Sequence, residues 1–350
     1  MKKVDYIIVG LGIAGISLCE QLQKHNKSFL VIDSGQAGAT AKSGGVFNPT
    51  VLKRFTAAWN ASSFYPAALK FYNQLSDKLQ FNVFEETPIL RIFKNVEEQN
   101  NWTVASDKKE LQHFLSTDFL KNTNSAIEAP FGFGEVLGTA QIPPTNLLSA
   151  YKNHLQHIDS LLLEGFQYEM IQQQEDKVVY KNISAKKIIF AEGAMVVENP
   201  FFPNTAIVGN KGEYVVIKAK NLSLEVLLKG SVYVIPMGND TYKVGATYSR
   251  DDYSLNATEI AKEEIVSKLK TVINCPFEVV SQTVGVRPTT RDHRPLLGCL
   301  DENPKLVFYN GLGTRGFFMA PLLSEILYTY LEENNPLSNE IDIRRTLKWA

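Results

Sequence analysis

The stretch "YIIVGLGIAGISLCEQLQKHNKSFLVIDSG", residues 6–35, decides the fold. Val4 to Val9 is an apolar run of strand length, the pattern of a parallel strand buried on both faces. Gly10-Leu11-Gly12-Ile13-Ala14-Gly15 follows at once as GxGxxG. Ile16, Leu18, Cys19 and Leu22 then recur at helical spacing as far as Lys24, and Phe29 to Ile32 forms a second strand ending in Asp33. The three glycines serve different ends. Gly10 permits the tight turn, Gly12 lets the backbone approach a pyrophosphate, and Gly15 lets helix and strand pack. Ile13 and Ala14 open the helix, whose free N–H groups and partial positive charge suit phosphates. Asp33, about twenty residues beyond the turn, is placed to accept hydrogen bonds from the adenosine ribose hydroxyls. The turn alone does not separate NAD from FAD.

Working outward, "DSGQAGATAKSGGVFNP" (33–49) is a long Gly/Ala/Ser/Thr loop that starts at the ribose-binding acid. Ser34, Thr40, Ser43, Gly44 and Gly45 are its candidates for wrapping phosphates and a flavin ring. A second glycine cluster, "FGFGEVLG" (131–138), has no apolar helix after it and is read as β-structure and loop. Only one dinucleotide site is therefore expected, which favours an enzyme whose substrate itself reduces the cofactor. Strand-like "KKIIFAEGA" (186–194) puts Gly193 near that cofactor.

The chain has 350 residues, 44% hydrophobic and 21% charged, with formal net charge −1, as in a soluble globular protein of two modest domains. Nothing forces a basic nucleic-acid surface. Cys19, Cys275 and Cys299 lie far apart without a CxxC pair, so neither a zinc site nor a disulfide framework is expected, and a reducing cytoplasm is the plain reading. The N-terminal apolar run is broken by Asp5 and three glycines, which argues against a targeting segment, and no run approaches membrane-span length.

Helices are expected over 62–79, 95–115 (with turns), 147–157 and 257–272, and from about Phe317. Strands are expected over 87–93, 160–166, 178–180, 187–190, 214–219, 224–228, 231–235, 242–247, 277–286 and 306–309. Helix-alternating ends with a β-rich middle predict an α/β fold: a Rossmann-like dinucleotide-binding domain interrupted by an antiparallel-sheet, α+β substrate domain. The expected division assigns 1–80, 145–212 and 285–350 to the first and 81–144 and 213–284 to the second. His25, His113, His154 and His157 are read as solvated on polar helices, and His293 as a loop-ordering residue.

In the second half, "SVYVIPMGNDTYKVGATYS" (231–249), "VGVRPTTRDHRPLLG" (284–298) and "YNGLGTRGFFMAP" (309–321) form an ordered series. With the opening βαβ unit, this series resembles the FAD-dependent D-amino-acid oxidase and glycine/sarcosine oxidase family over nearly the whole chain. "GVFNPTVLKRF" (45–55), "VRPTTRDHRPLLG" (286–298) and "GLGTRG" (311–316) are similar to the branch that forms the oxidase half of the bifunctional tRNA wobble-uridine modification enzyme. The resemblance implies FAD, held non-covalently because 287–290 lack the cysteine of some sarcosine oxidases. It implies that Arg287 binds a substrate carboxylate, that Tyr233 helps hold it, and that Tyr248 lines the pocket. It implies that Gly311, Gly313, Thr314, Arg315, Gly316 and Phe317 meet the flavin edge. Leu312 stands where many relatives have histidine. Lys243 matches a lysine that faces the flavin and promotes reaction with oxygen; the other reading is an exposed strand lysine.

The expected activity is oxidation of the C–N bond of a carboxylate-bearing amine, a small amino acid or N-substituted glycine. Hydride would pass to flavin, and oxygen would yield hydrogen peroxide. One alternative is removal of the carboxymethyl group from carboxymethylaminomethyl-uridine in tRNA, with Lys53, Arg54 and Arg315 as a basic rim. Another is a non-catalytic flavoprotein. No oligomeric state is expected from the sequence.

Overall fold

The computed structural model describes residues 1–203 and 206–348. Two sheets dominate it. The first has six strands in the order Leu161–Leu163, Phe29–Asp33, Tyr6–Val9, Lys187–Phe190, Leu306–Asn310 and Leu296–Cys299. The first five run parallel, and only Leu296–Cys299 is antiparallel to its neighbour. Alternation along the strands fills two cores. Ile8, Val31, Ile189 and Val307 face the helices Ile13–Lys24, Ala61–Leu79, Pro144–His157 and Gly316–Glu333. Ile7, Val9, Ile32 and Phe190 face the other way, onto Val178, Tyr180 and Ile183. The chain leaves Tyr6–Val9 toward Phe29–Asp33 on one side and Lys187–Phe190 on the other, so the strand order reverses at the carboxyl end of Tyr6–Val9. Ligands of doubly wound sheets bind in that crevice.

The second sheet has nine strands. Its order is Ser249–Arg250, Ile207–Lys218, Thr241–Gly245, Tyr233–Gly238, Leu227–Lys229, Ile89–Ile92, Phe133–Val136 and Leu115–Leu120, with Glu278–Thr290 also paired to Ile207–Lys218. Every pairing is antiparallel except Leu227–Lys229 with Ile89–Ile92. One face buries Val215, Ile217, Val234 and Val244 against Ile265 and Leu269 of the helix Glu259–Leu269. The other face turns toward the first sheet. Strands cross two of the four expected division points, 212/213 and 284/285: Ile207–Lys218 already starts at Ile207, and Glu278–Thr290 runs through Gly285.

Three local expectations need correction. The helix expected over 95–115 is Val96–Ser106, started by Asn95, whose side chain accepts from the Glu98 amide. After turns, Leu115–Leu120 is a strand held by Phe133–Val136, a pairing partner that local polarity does not reveal. Of the four histidines read as solvated on helices, His25, His113 and His157 are exposed, but His25 lies beyond its helix, stacked on Tyr328 at 4.0 Å, and His113 stands in a turn. His154 is half-buried, with its Nε2 3.3 Å from Gln23 Nε2.

Candidate active site

The crevice is built first by backbone. Gly10 has φ +100°, and a Cβ there would meet the Ala191 carbonyl oxygen at 2.6 Å. A Cβ on Gly15 would collide with the Gly10 carbonyl. The 12-residue helix Ile13–Lys24 therefore starts hard against the turn, with Gly12 at its N-cap, no side-chain cap and no acid in its first turn. Thr40 Oγ1 accepts from the Ile13 amide at 3.2 Å, while the Ala14 and Gly15 amides lie beyond reach of an intrahelical carbonyl. Asp33 braces the same turn, its two oxygens accepting from the Leu11 and Gly35 amides at 2.8 Å each.

A second helix start converges here. Gly316–Glu333 has no capping side chain and no acid in its first turn, and a Cβ on Gly316 would lie 2.9 Å from Ile13 Cγ2. Pro321 in that helix has no N–H for the Phe317 carbonyl four residues back. Tyr72 Oη, fully buried, donates to that carbonyl instead, at 2.7 Å. Phe317 is buried, Thr314 is exposed, and Gly311 and Gly313 both have positive φ. Asn310 Nδ2 ties this turn to the Gly193 carbonyl at 2.9 Å. Two uncapped helix starts beside a glycine turn and Asp33 fit a dinucleotide: they offer amides and positive partial charge and no competing carboxylate.

The loop after Asp33 joins this crevice to the second sheet. Thr40, Ser43 and Gly45 form its inner turn: Ser43 Oγ donates to the Thr40 carbonyl at 2.8 Å and accepts from the Gly45 amide at 3.3 Å. Ser34, farther out, only accepts from the Gln36 amide. Gly44 leaves room for Ile235 and Tyr214, and Gly45, at φ +68°, for the Ile142 carbonyl. Lys243 Nζ donates to the Lys42 and Ser43 carbonyls at 2.8 and 2.7 Å and lies 4.9 Å from the Tyr214 ring centroid. Lys243 is thus not an exposed strand lysine. Burial, with the nearby Lys42 charge, brings its ammonium down to about 8. Arg315 donates to the Asn48 and Thr50 carbonyls at 2.8 and 2.9 Å. Each terminal nitrogen gives one N–H to the loop and the side chain is half-buried, whereas Lys53 and Arg54 are exposed.

Sheet register places the carboxylate candidates on this same face. Arg91, Lys229, Tyr233, Gly245 and Tyr214 form one cross-strand row. Gly212 and Gly285 pair in the next, followed by Asn210 with Arg287. The Arg287 guanidinium lies on Gly212, whose Cβ would occupy the guanidinium's place. It is 5.9 Å from the Tyr248 ring centroid, and among the described residues its one hydrogen bond is a 3.5 Å contact to the Thr247 carbonyl. No acidic residue pairs with it among the described residues. Tyr233 Oη accepts from Asn48 Nδ2 at 3.3 Å, which leaves its own proton free to donate, and burial raises its pKa. Tyr248 is 53% exposed and so forms a rim rather than a floor.

Sequence reasoning alone does not reveal Asn48, Tyr214, Gly212, Tyr72 or Glu192. Glu192 follows Ala191 at the glycine turn, accepts from Tyr168 Oη and Asn199 Nδ2 at 2.7 and 2.9 Å, and is raised by burial to about 7. Its place beside Gly193 is the one signal in the sequence that points to it.

The geometry defines a dinucleotide-binding crevice beside a sheet face that carries Arg287, a cation with no acidic partner among the described residues. The family model "FAD dependent oxidoreductase" matches residues 5–329, and the chain belongs to that DAO family. It is an FAD-dependent enzyme. It is 26% identical, over 96% of its length, to the tRNA 5-methylaminomethyl-2-thiouridine biosynthesis bifunctional protein of Idiomarina loihiensis, of which it spans 57%. It is 21% identical to glycine oxidase of Bacillus subtilis, covering 93% of this chain and 92% of that one. The solved glycine oxidase of Bacillus cereus shares the fold, with TM-score 0.76 at 17% identity over 95% of this chain and 96% of that one. Among the described residues no helix is long and apolar enough to cross a membrane.

Proposed function

We propose that this enzyme oxidises the C–N bond of a small amine that carries a carboxylate, an amino acid or N-substituted glycine. The observation behind this reading is the Arg287 guanidinium, lying on bare Gly212 backbone without an acidic partner among the described residues. A guanidinium so placed takes a carboxylate through two parallel N–H donors and keeps its charge at any working pH. Tyr233 adds a directed donor from the far side of Gly245 and Tyr214. FAD, when bound, supplies the two-electron acceptor, with oxygen as its oxidant and hydrogen peroxide as the product. The chain's own part is position and charge. Arg287 and Tyr233 orient the amine, and Lys243 holds a positive charge against the loop that follows Asp33.

The second reading places the same carboxylate on carboxymethylaminomethyl-uridine in tRNA. It is supported by the relative from Idiomarina loihiensis and by exposed Lys53 and Arg54 beside the loop. A peroxide assay over glycine, sarcosine, D-alanine and the modified nucleoside separates the two. Turnover of a free amine supports the first, and turnover of the nucleoside alone supports the second. Turnover of none contradicts both.

A further inference from the structure

Next to Arg287 lies a polar group without a partner among the described residues. Asn210 is 1% exposed, and its Oδ1 has no hydrogen-bond partner among those residues. Burying an unpaired carboxamide costs about 1–3 kcal/mol, so such groups call for an explanation. Register sharpens the point. Asn210 pairs with Arg250 on one side and Arg287 on the other, in one row across three strands. Paired residues share a face, so a buried carboxamide sits between two arginines whose Cα atoms are about 10 Å apart. Neither arginine has an acidic partner among the described residues. A cavity of about 70 Å³ opens there, lined by Val208, Asn210, Tyr248, Arg250, Thr289 and His293. Tyr248 is the wall it shares with the Arg287 guanidinium.

We propose that this cavity is a second anion subsite, which holds a further carboxylate on the substrate's distal arm. The inference rests on Arg287 holding the first carboxylate. Arg250 supplies the charge at the cavity mouth. Rotation of the Asn210 side chain about its last bond turns the amino group to the carboxylate and the carbonyl toward a guanidinium. The orphaned oxygen is then paired, and the amide donates to the anion. The substrate class this selects is a dicarboxylic amine, with one carboxylate on each side of the nitrogen or on its side chain. A monocarboxylate leaves the cavity and its carboxamide unsatisfied.

The test uses the FAD-loaded protein and two ethers that lack the oxidisable nitrogen. Calorimetric titration with diglycolate, which has two carboxylates, is compared with methoxyacetate, which has one. The expected result is at least tenfold tighter binding of diglycolate, a ratio that falls at least fivefold in Arg250→Met. Arg250 is exposed, so this variant tests binding without disturbing the core. Asn210→Ala should lower the same ratio. An unchanged ratio in both variants overturns the subsite and leaves the Arg287 reading standing. Binding of neither ether to the wild-type protein overturns both. Inorganic phosphate that binds more tightly than diglycolate, and loses this in Arg250→Met, overturns the carboxylate assignment in favour of a phosphorylated substrate.

Discussion

Arg287 owes its availability to a neighbour with no side chain. Gly212 is the surface on which its guanidinium rests, so Gly212→Ala should push it aside while the paired strands persist. Charge-assisted hydrogen bonds contribute about 1.5–3 kcal/mol each, so Arg287→Ala should weaken methoxyacetate binding by roughly 100-fold and Gly212→Ala by roughly tenfold. Titration of the flavin absorbance checks both, and wild-type affinity in either variant removes the assignment. Glu192 gives a second residue-scale test. Its carboxyl is raised from 4.5 to about 7 in the folded chain. Between those values the folded state binds more protons than the unfolded one, so this contribution to stability falls as pH rises through the window. Glu192→Gln should match wild type below about pH 4.5 and exceed its stability by about 1–2 kcal/mol above pH 7. Urea unfolding across pH reads this difference, and a constant offset would contradict it. At this scale the sequence was most legible where chemistry is local. Gly10, Gly15 and Asp33 announce themselves by spacing, whereas Gly212 under Arg287 depends on a strand register that no short window contains.

At the scale of elements, the helix Gly316–Glu333 begins in the crevice with a defect, and a distant residue repairs it. Tyr72, on the helix Ala61–Leu79, serves the carbonyl that Pro321 leaves without an amide. Tyr72→Phe should orphan that buried carbonyl, at a cost of about 1–3 kcal/mol. Chemical denaturation measures the loss, and faster FAD release should accompany it; unaltered stability would mean that the carbonyl finds another donor. Apolar periodicity made this helix and the βαβ unit legible from sequence. It failed at Leu115–Leu120, where only Leu115 is buried and the strand exists because Phe133–Val136 pairs with it. It also missed the start of Ile207–Lys218 and the end of Glu278–Thr290, because the long pairing of these two strands carries them past the expected change of domain.

At the scale of the molecule, the two sheets meet through the loop after Asp33. Lys243 reaches it from the second sheet, and Arg315 from the last helix-start turn of the first. Each holds two carbonyls, so the loop is fastened from both sides of the crevice. Arg315→Met should leave two carbonyls without donors, lower stability by about 2–4 kcal/mol and speed FAD loss. Fluorescence of released flavin after dilution measures that loss, and wild-type retention would show that the fastening does not hold the cofactor loop. Lys243 and Arg315 were picked out in the sequence through the family resemblance of the motifs that carry them. Their backbone partners, from Lys42 to Thr50, could not, because carbonyl partners carry no residue signature. On the proposed reading, the cofactor crevice and the Arg287 guanidinium act on one substrate molecule. The most direct measurement of that joint action is the anaerobic flavin spectrum during titration with sarcosine and with sarcosine amide, which differ only in the carboxylate. Bleaching by sarcosine at concentrations where the amide has no effect is the predicted result. Equal bleaching by the two, or by neither sarcosine nor any other carboxylated amine, would contradict the account.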